Sequence, residues 1–266
     1  MRRHFHKMHG LGNDFVILDA REDAIEITPA LARAIADRRT GVGCDQLILL
    51  EPSGTADLRM RIWNADGGEV ESCGNATRCV VALTGVETIE TEGGLLEGAA
   101  AGDQVEVILG EPRFDWSKIP LAYPMDTARL PLAWEELAHP AAVNVGNPHL
   151  VFFVEDVDAI DLERLGPTIE NDAAFPEQIN VNVAAVEDGG LRLRTWERGT
   201  GLTQACGTGA CAAAVAAIEL GKTQSPVRVT MPGGTLEIEW ADGEPIRMRG
   251  PATRVFEGEL DLAALA

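Results

Sequence analysis

Apolar and polar residues alternate along Leu58–Trp63, LRMRIW, and again along Leu191–Trp196, LRLRTW. A period of two predicts a strand with one buried face. Each run passes through a glycine-containing loop to a Cys-Gly pair, and then to a stretch of helix formers. The first stretch follows Cys73-Gly74 and stops at Gly85, while the second follows Cys206-Gly207, is rich in alanine and stops at Gly221. The composition and the closing glycines predict a helix in each place. Both cysteines therefore stand where a helix begins.

The rest of the chain divides in the same way. A strand is predicted at His4–His9, a turn at Gly10–Asp14 and a return strand at Phe15–Asp19. Thr28 can cap a helix and Pro29 suits its first position, so a helix is predicted from there to about Arg39. Strands follow at Gln46–Leu50 and Asp57–Asn64. Beyond the first cysteine helix a meander is predicted over Val86–Thr91, Leu95–Ala99 and Gln104–Leu109, with turns at Gly93-Gly94 and Gly102-Asp103. Glu111–Pro140 is rich in proline and breaks the pattern. The order then repeats: strands at Ala142–Asn144 and Leu150–Val154, a short helix at Asp161–Leu165, and strands at Asn182–Val186 and Gly190–Trp196. After the second cysteine helix come strands at Val227–Met231, Thr235–Trp240, Ile246–Arg249 and Thr253–Glu257.

An offset of 133, half of the 266 residues, superposes the halves. It brings Leu58, Arg59, Arg61, Trp63, Gly68, Cys73 and Gly74 onto Leu191, Arg192, Arg194, Trp196, Gly201, Cys206 and Gly207. It also places Asn64 on Glu197. An offset of 134 places Gly12-Asn13 on Gly146-Asn147 and Gln46 on Asn180. The chain thus reads as a duplicated unit, with domains expected at 1–114 and 115–251. Two such halves turned toward each other would set two thiols across one cleft.

Charge and cysteine usage narrow the chemistry. Against 22 Lys and Arg stand 42 Asp and Glu, a net charge of −20. That balance opposes nucleic acid and anionic membranes as partners. The start, MRRHFHKMHG, has no apolar segment behind its basic residues, so no secretory signal is expected, and a cytoplasmic location follows by default. Five cysteines, an odd number, suggest free thiols there. The Cys73–Cys79 and Cys206–Cys211 spacings are not those of a zinc knuckle, so no metal is expected. Cys79 and Cys211 fall on the apolar helices as small core residues, and Cys44 has no counterpart in the other half. His4 and His6 read as strand-face residues.

A helix start offers unpaired N–H groups and a positive dipole, which suit a carboxylate and lower the pKa of a thiol. Two buried structural cysteines are the bland alternative. Two opposed thiols admit two chemistries. One is a redox disulfide. The other is proton transfer on opposite faces of one carbon: a thiolate takes the α-proton and a thiol returns one from the far side. A carbon beside a carboxylate is a weak acid, so the carbanion needs preorganised donors. Backbone N–H groups of Gly74, Asn75, Gly207 and Thr208 are the expected ones. The Glu197-Arg198 pair suits a ligand that carries both ammonium and carboxylate groups.

The motifs MHGLGNDFVILD (8–19), GCDQ (43–46), WNADGGEVESCGN (63–75), NVGNPHLVFF (144–153), FPEQINVN (175–182) and ERGTGLTQACGTGACA (197–212) resemble those of the diaminopimelate epimerases, nearly end to end. The resemblance implies an α/β (α+β type) fold. It would comprise two pseudo-symmetric domains, each a curled, mostly antiparallel sheet around a central helix, with 252–266 returning to the first. It implies a cofactor-independent isomerase that interconverts LL- and meso-diaminopimelate for lysine and cell-wall precursors, with Cys73 and Cys206 as acid/bases. Substrate contacts are implied for Asn13, Gln46, Asn64, Asn147, Asn180, Glu197 and Arg198, and for the backbone at Gly74-Asn75 and Gly207-Thr208. His149 and Glu197 would tune the thiols, and a homodimer is implied. Ala76 departs from the glycine of many relatives.

Three alternatives remain open on the residues alone. A proline-type racemase would give Arg198, Asn64 and Asn180 less to hold, and the CGN at Cys73 differs from the CGH of that type. A thiol–disulfide protein would need no amides, and a non-catalytic binder would not need both thiols.

Overall fold

The computed structural model describes residues 2–71, 73–102 and 104–265, so Asp103 of the predicted Gly102-Asp103 turn lies outside the described residues. The chain divides into two compact units. One runs to Val107 and resumes at Gly250; the other is Ile108–Arg249. The division falls at 107/108 rather than the expected 114/115. Leu109 N–H donates to Ile246 O (2.8 Å) and Arg113 pairs with Asn144, which holds this stretch to the second unit.

In the first unit β1 (Arg2–Gly10) and β2 (Asn13–Asp19) form an antiparallel hairpin. α1 (Pro29–Ala36) then crosses over so that β3 (Gln46–Glu51) lies parallel to β2. β4 (Leu58–Asn64) runs antiparallel to β3 and carries the short β5 (Glu69–Val70). α2 (Gly74–Thr84) follows and leads to β6 (Thr88–Thr91), parallel to β4. β7 (Gly94–Ala101) pairs antiparallel with β6, and β8 (Gln104–Ile108) lies next to it. Thr28 caps α1 through Leu31 N–H (3.2 Å) as predicted. The helix stops at Ala36, short of Arg39, because the Asp37 carboxylate takes the N–H groups of Arg39 and Thr40 (2.8 and 2.7 Å) into a turn. Buried Leu31 and Ile35 meet Val16, Leu18, Leu47 and Leu49 beneath them. Burying each such side chain contributes about 1.5–3 kcal/mol relative to exposure.

The second unit opens with a small hairpin, β9 (Ala133–Trp134) and β10 (Leu137–Ala138), inside the proline-rich stretch, where no strand is predicted. It then repeats the sequence of pairings. β11 (Ala141–Asn144) and β12 (Pro148–Phe153) are antiparallel; α3 (Leu162–Glu170) crosses over; β13 (Asn180–Glu187) lies parallel to β12. β14 (Gly190–Glu197) runs antiparallel to β13 and carries β15 (Gly201–Thr203). α4 (Gly207–Glu219) leads to β16 (Val227–Met231), parallel to β14, and to β17 (Gly234–Glu239) and β18 (Arg247–Gly250). α3 continues past the expected Leu165. Pro167 weakens it, but Leu162, Leu165 and Ile169 form one buried stripe that outweighs the loss. Gly166 fits there because a Cβ would lie 2.4 Å from the Trp196 ring.

The last strand, β19 (Thr253–Asp261), belongs to the first unit and pairs antiparallel with β1. No helix among the described residues is long and apolar enough to cross a membrane.

Candidate active site

In the first unit Cys73 is the N-cap of α2, with extended backbone (φ −151°, ψ 111°). Its carbonyl accepts Thr77 N–H (2.9 Å), and its thiol makes no capping bond to the helix. The thiol donates instead to Asn13 Oδ1 at 3.8 Å, at the start of β2. Asn75 Nδ2 donates to the same oxygen (3.2 Å). Asn13 Nδ2 donates to Asp45 Oδ2 (3.0 Å), and a carboxylate can only accept, so the Asn13 oxygen must face the thiol. Asp45 is itself held by Arg38 (2.8 Å) and by Asp14 N–H (3.1 Å). Hydrogen bonds and charge from Arg38 and Lys7 hold the Asp14 carboxyl well below the usual range despite its burial. Register pairing sets Gln46 opposite Asn64, and Gln46 Nε2 donates to Asn64 Oδ1 (2.8 Å). Gln46 Oε1 is buried without a partner, an acceptor suited to a ligand ammonium.

In the second unit Cys206 is the N-cap of α4 (φ −117°, ψ 110°). Its sulfur accepts Gly209 N–H at 3.3 Å and lies 3.5 Å from Thr208 Oγ1. Glu197 sits beside the thiol and accepts a hydrogen bond from the Thr203 hydroxyl (2.5 Å). The helix start was expected to lower this thiol's pKa. Burial, reinforced by Glu197, pushes it well up instead, against smaller favourable contributions from Thr208 and Gly209 N–H. Cys206 is only 4 % exposed, and its sulfur loses more to desolvation than one helix turn returns. Cys44 and Cys79 are likewise raised by burial, to about 11 and about 12. None of the five cysteines is joined in a disulfide.

His149 is fully buried, and burial, with Arg198 adding to it, lowers its pKa to about 3. Asn182 Nδ2 donates to His149 Nδ1 (3.1 Å), so the neutral ring carries its proton on Nε2. That proton goes to Asn147 Oδ1 (2.8 Å), which leaves the Asn147 amide NH₂ directed away from the histidine. Asn182 is completed by Leu150 O (2.8 Å) and the Thr195 hydroxyl (2.9 Å). Asn180, 3 % exposed, braces two loops: it donates to Pro148 O (2.8 Å) and accepts Arg198 N–H (2.9 Å). Arg198 is exposed, with one guanidinium nitrogen on Glu177 O (2.9 Å).

The structure thus gathers Asn13, Cys73 and Asn75 into one cluster and pairs Gln46 with Asn64. It sets Thr208 and Glu197 beside Cys206, Asn147 against His149, and Arg198 against Asn180. Sequence reasoning missed Asp45, although it adjoins Gln46 in the GCDQ motif. It also missed Arg78, fully buried, which donates to Asn75 Oδ1 (2.8 Å) and so turns the Asn75 NH₂ toward Asn13. A lone charged residue within an otherwise uncharged helix was the available signal.

The diaminopimelate epimerase family model matches residues 5–114 and 141–255. A diaminopimelate epimerase of Rhizorhabdus wittichii is 67 % identical over 267 residues, covering 99 % of this chain and 97 % of that one. Among solved structures, a Bacillus anthracis PhzF-family phenazine biosynthesis protein aligns with a TM-score of 0.70 at 18 % identity, over 98 % and 99 % of the two chains. A probable proline racemase from Agrobacterium radiobacter K84 aligns with a TM-score of 0.69 at 16 % identity, over 98 % and 93 %. At such identities these structures share the fold alone.

Proposed function

The chain belongs to the diaminopimelate epimerase family, and on that premise we propose how its residues carry out the reaction. It is an isomerase that epimerises diaminopimelate. Cys73 and Cys206 serve as its two acid/bases, one for each face of the α-carbon. One sulfur, as thiolate, takes the α-proton; the other, as thiol, gives its own proton to the opposite face and the centre inverts. The observation that carries this reading is that both thiols are N-caps of equivalent helices in a repeated unit. The helix-start N–H groups of Gly74, Asn75, Gly207 and Thr208 hold the carboxylate next to the reacting carbon. They stabilise the charge that develops as the proton leaves.

The remaining contacts follow from donor and acceptor character. Asn13 offers an oxygen and Asn147 an NH₂. Gln46 Oε1 accepts from an ammonium, with Asn64 fixing the Gln46 amide. Arg198 grips the carboxylate at the far end of the substrate, and Asn180 fixes the loop that carries Arg198. Glu197, in contact with Cys206, is placed to receive its proton when Cys206 acts as base. His149 acts through Asn147. The reaction needs no cofactor, because deprotonation and reprotonation are both done by sulfur. The cytoplasm would keep the thiols reduced, and family membership carries the expectation of a homodimer. Optical rotation tests the activity: with LL-diaminopimelate and no added cofactor the signal should relax toward an equilibrium mixture. A static trace with folded, reduced protein overturns the reading.

A further inference from the structure

His4 and His6 are two residues apart on β1, so their imidazoles share one face of the strand. The register of β19 sets Glu257 directly opposite His6. Glu257 Oε2 lies 3.6 Å from His4 Nε2 and 3.5 Å from His6 Nδ1, and all three atoms lie within 4.8 Å of one another. Nitrogen and oxygen ligands on one tetrahedral cation, at about 2.0–2.2 Å each, stand roughly 3.4 Å apart. The two nitrogen–oxygen spacings are therefore close to those of a coordinated set before any ion arrives.

A second observation points the same way. His6 Nδ1 is buried and has no hydrogen-bond partner. An imidazole nitrogen facing a carboxylate oxygen with no proton bond between them is an arrangement that a shared cation satisfies.

We propose that His4, His6 and Glu257 bind one divalent transition-metal cation of the zinc class, clasping the last strand to the first. Two imidazoles and one carboxylate favour zinc, nickel, copper or cobalt over the all-oxygen preferences of magnesium and calcium. The competitor for Glu257 is Arg254, which pairs with it. That guanidinium is half-exposed and can turn to solvent, so the ion replaces a screened ion pair. The histidines also line a cavity of about 650 Å³ shared with Arg2, Arg3, Asp19 and Arg21, from which water can fill the fourth position. The site rests on β1 and β19 alone and does not depend on the activity proposed above.

The test uses the full chain carrying Cys73→Ser and Cys206→Ser, so that those thiols do not compete for metal. Metal-free protein is titrated with zinc chloride by calorimetry and with cobalt chloride by visible absorption. One ion per chain is expected, with cobalt bands lacking sulfur charge transfer and a higher Tm in zinc. His4→Asn, at an exposed position, and Glu257→Gln should each weaken binding about tenfold or more. Arg254→Ala should leave binding as tight or tighter. No bound ion, unchanged affinity in His4→Asn, or sulfur charge transfer from the remaining cysteines would each overturn the proposal.

Discussion

The starts of α2 and α4 share a backbone plan and rest on different floors. Equivalent positions in the repeat are Phe15 and His149, Ile48 and Asn182, Ile62 and Thr195. The registers agree, since Phe15 pairs with Gln46 as His149 pairs with Asn180, and Ile48 pairs with Ile62 as Asn182 pairs with Thr195. In the first unit the three are apolar and buried; in the second, with Asn182 and Thr195 beside Gly209 of α4, they are a hydrogen-bonded polar chain, equally buried. That chain sets the His149 tautomer and, through it, Asn147. The matching Asn13 is oriented from the other side, by Asp45. The outcome is opposite: Asn13 turns its oxygen toward the thiol, while Asn147 has its oxygen engaged. A duplicated frame has thus acquired two different amide contacts. The capping differs too. Gly209 N–H reaches the Cys206 sulfur, whereas Ala76 occupies the matching place in α2 and Cys73 has no capping bond.

Removing either thiol should have the largest effect. Cys73→Ala and Cys206→Ala should each lower epimerisation in both directions by about 10²–10⁴-fold. Substantial turnover in either variant would show that the two starts are not equal partners. Gly209→Ala comes next. Its Cβ would lie 2.7 Å from Asn182 Oδ1 and 2.9 Å from Thr195 Oγ1. We expect a loss of about 1–3 kcal/mol of stability together with reduced kcat. A Tm equal to that of the parent would mean the polar floor yields easily. The paired amides should then part company. Asn13→Asp sets a carboxylate against Asp45 and should cost about tenfold in kcat/KM, or ~1.4 kcal/mol. Asn147→Asp keeps an oxygen for His149 and should cost less. The reverse order would contradict the orientations described. Arg198→Lys loses bidentate geometry and should lower kcat/KM by more than about threefold, ~0.7 kcal/mol.

The last effect concerns stability against pH rather than turnover. The unfolded chain gives up thiol protons near 9.0, whereas folded Cys44 and Cys79 hold theirs to about 11 and about 12. Above pH 9 the unfolded state binds fewer protons, so stability must fall from pH 9 upward through that window. Urea melts at pH 8 and pH 10 measure it, and Cys79→Ala should flatten the slope.

The repeat makes most of the frame legible in the chain itself. Period-two runs, a Thr-Pro helix start and two closing glycines placed the principal elements, because these are local signals. What escaped notice depends on distant contacts. α3 passes through Gly166-Pro167 because Ile169 reaches the core and Trp196 covers the glycine. The rise in the Cys206 pKa depends on burial, which a helix-start motif does not encode. Asp45 and Arg78 act through Asn13 and Asn75 without belonging to the duplicated pairs. His4 and His6 read as strand-face residues until β19 brought Glu257 across from them.

The central claim is that two thiols of different surroundings act on one carbon from opposite faces. Early-turnover analysis in deuterium oxide tests it most directly, starting from unlabelled LL-diaminopimelate. Each inversion then delivers a solvent-derived deuteron from one sulfur while the abstracted proton leaves on the other. The first meso product should carry deuterium at the inverted carbon, while remaining substrate carries none. Product that retains its original α-proton, or substrate labelled as fast as product forms, would mean that one group serves both faces.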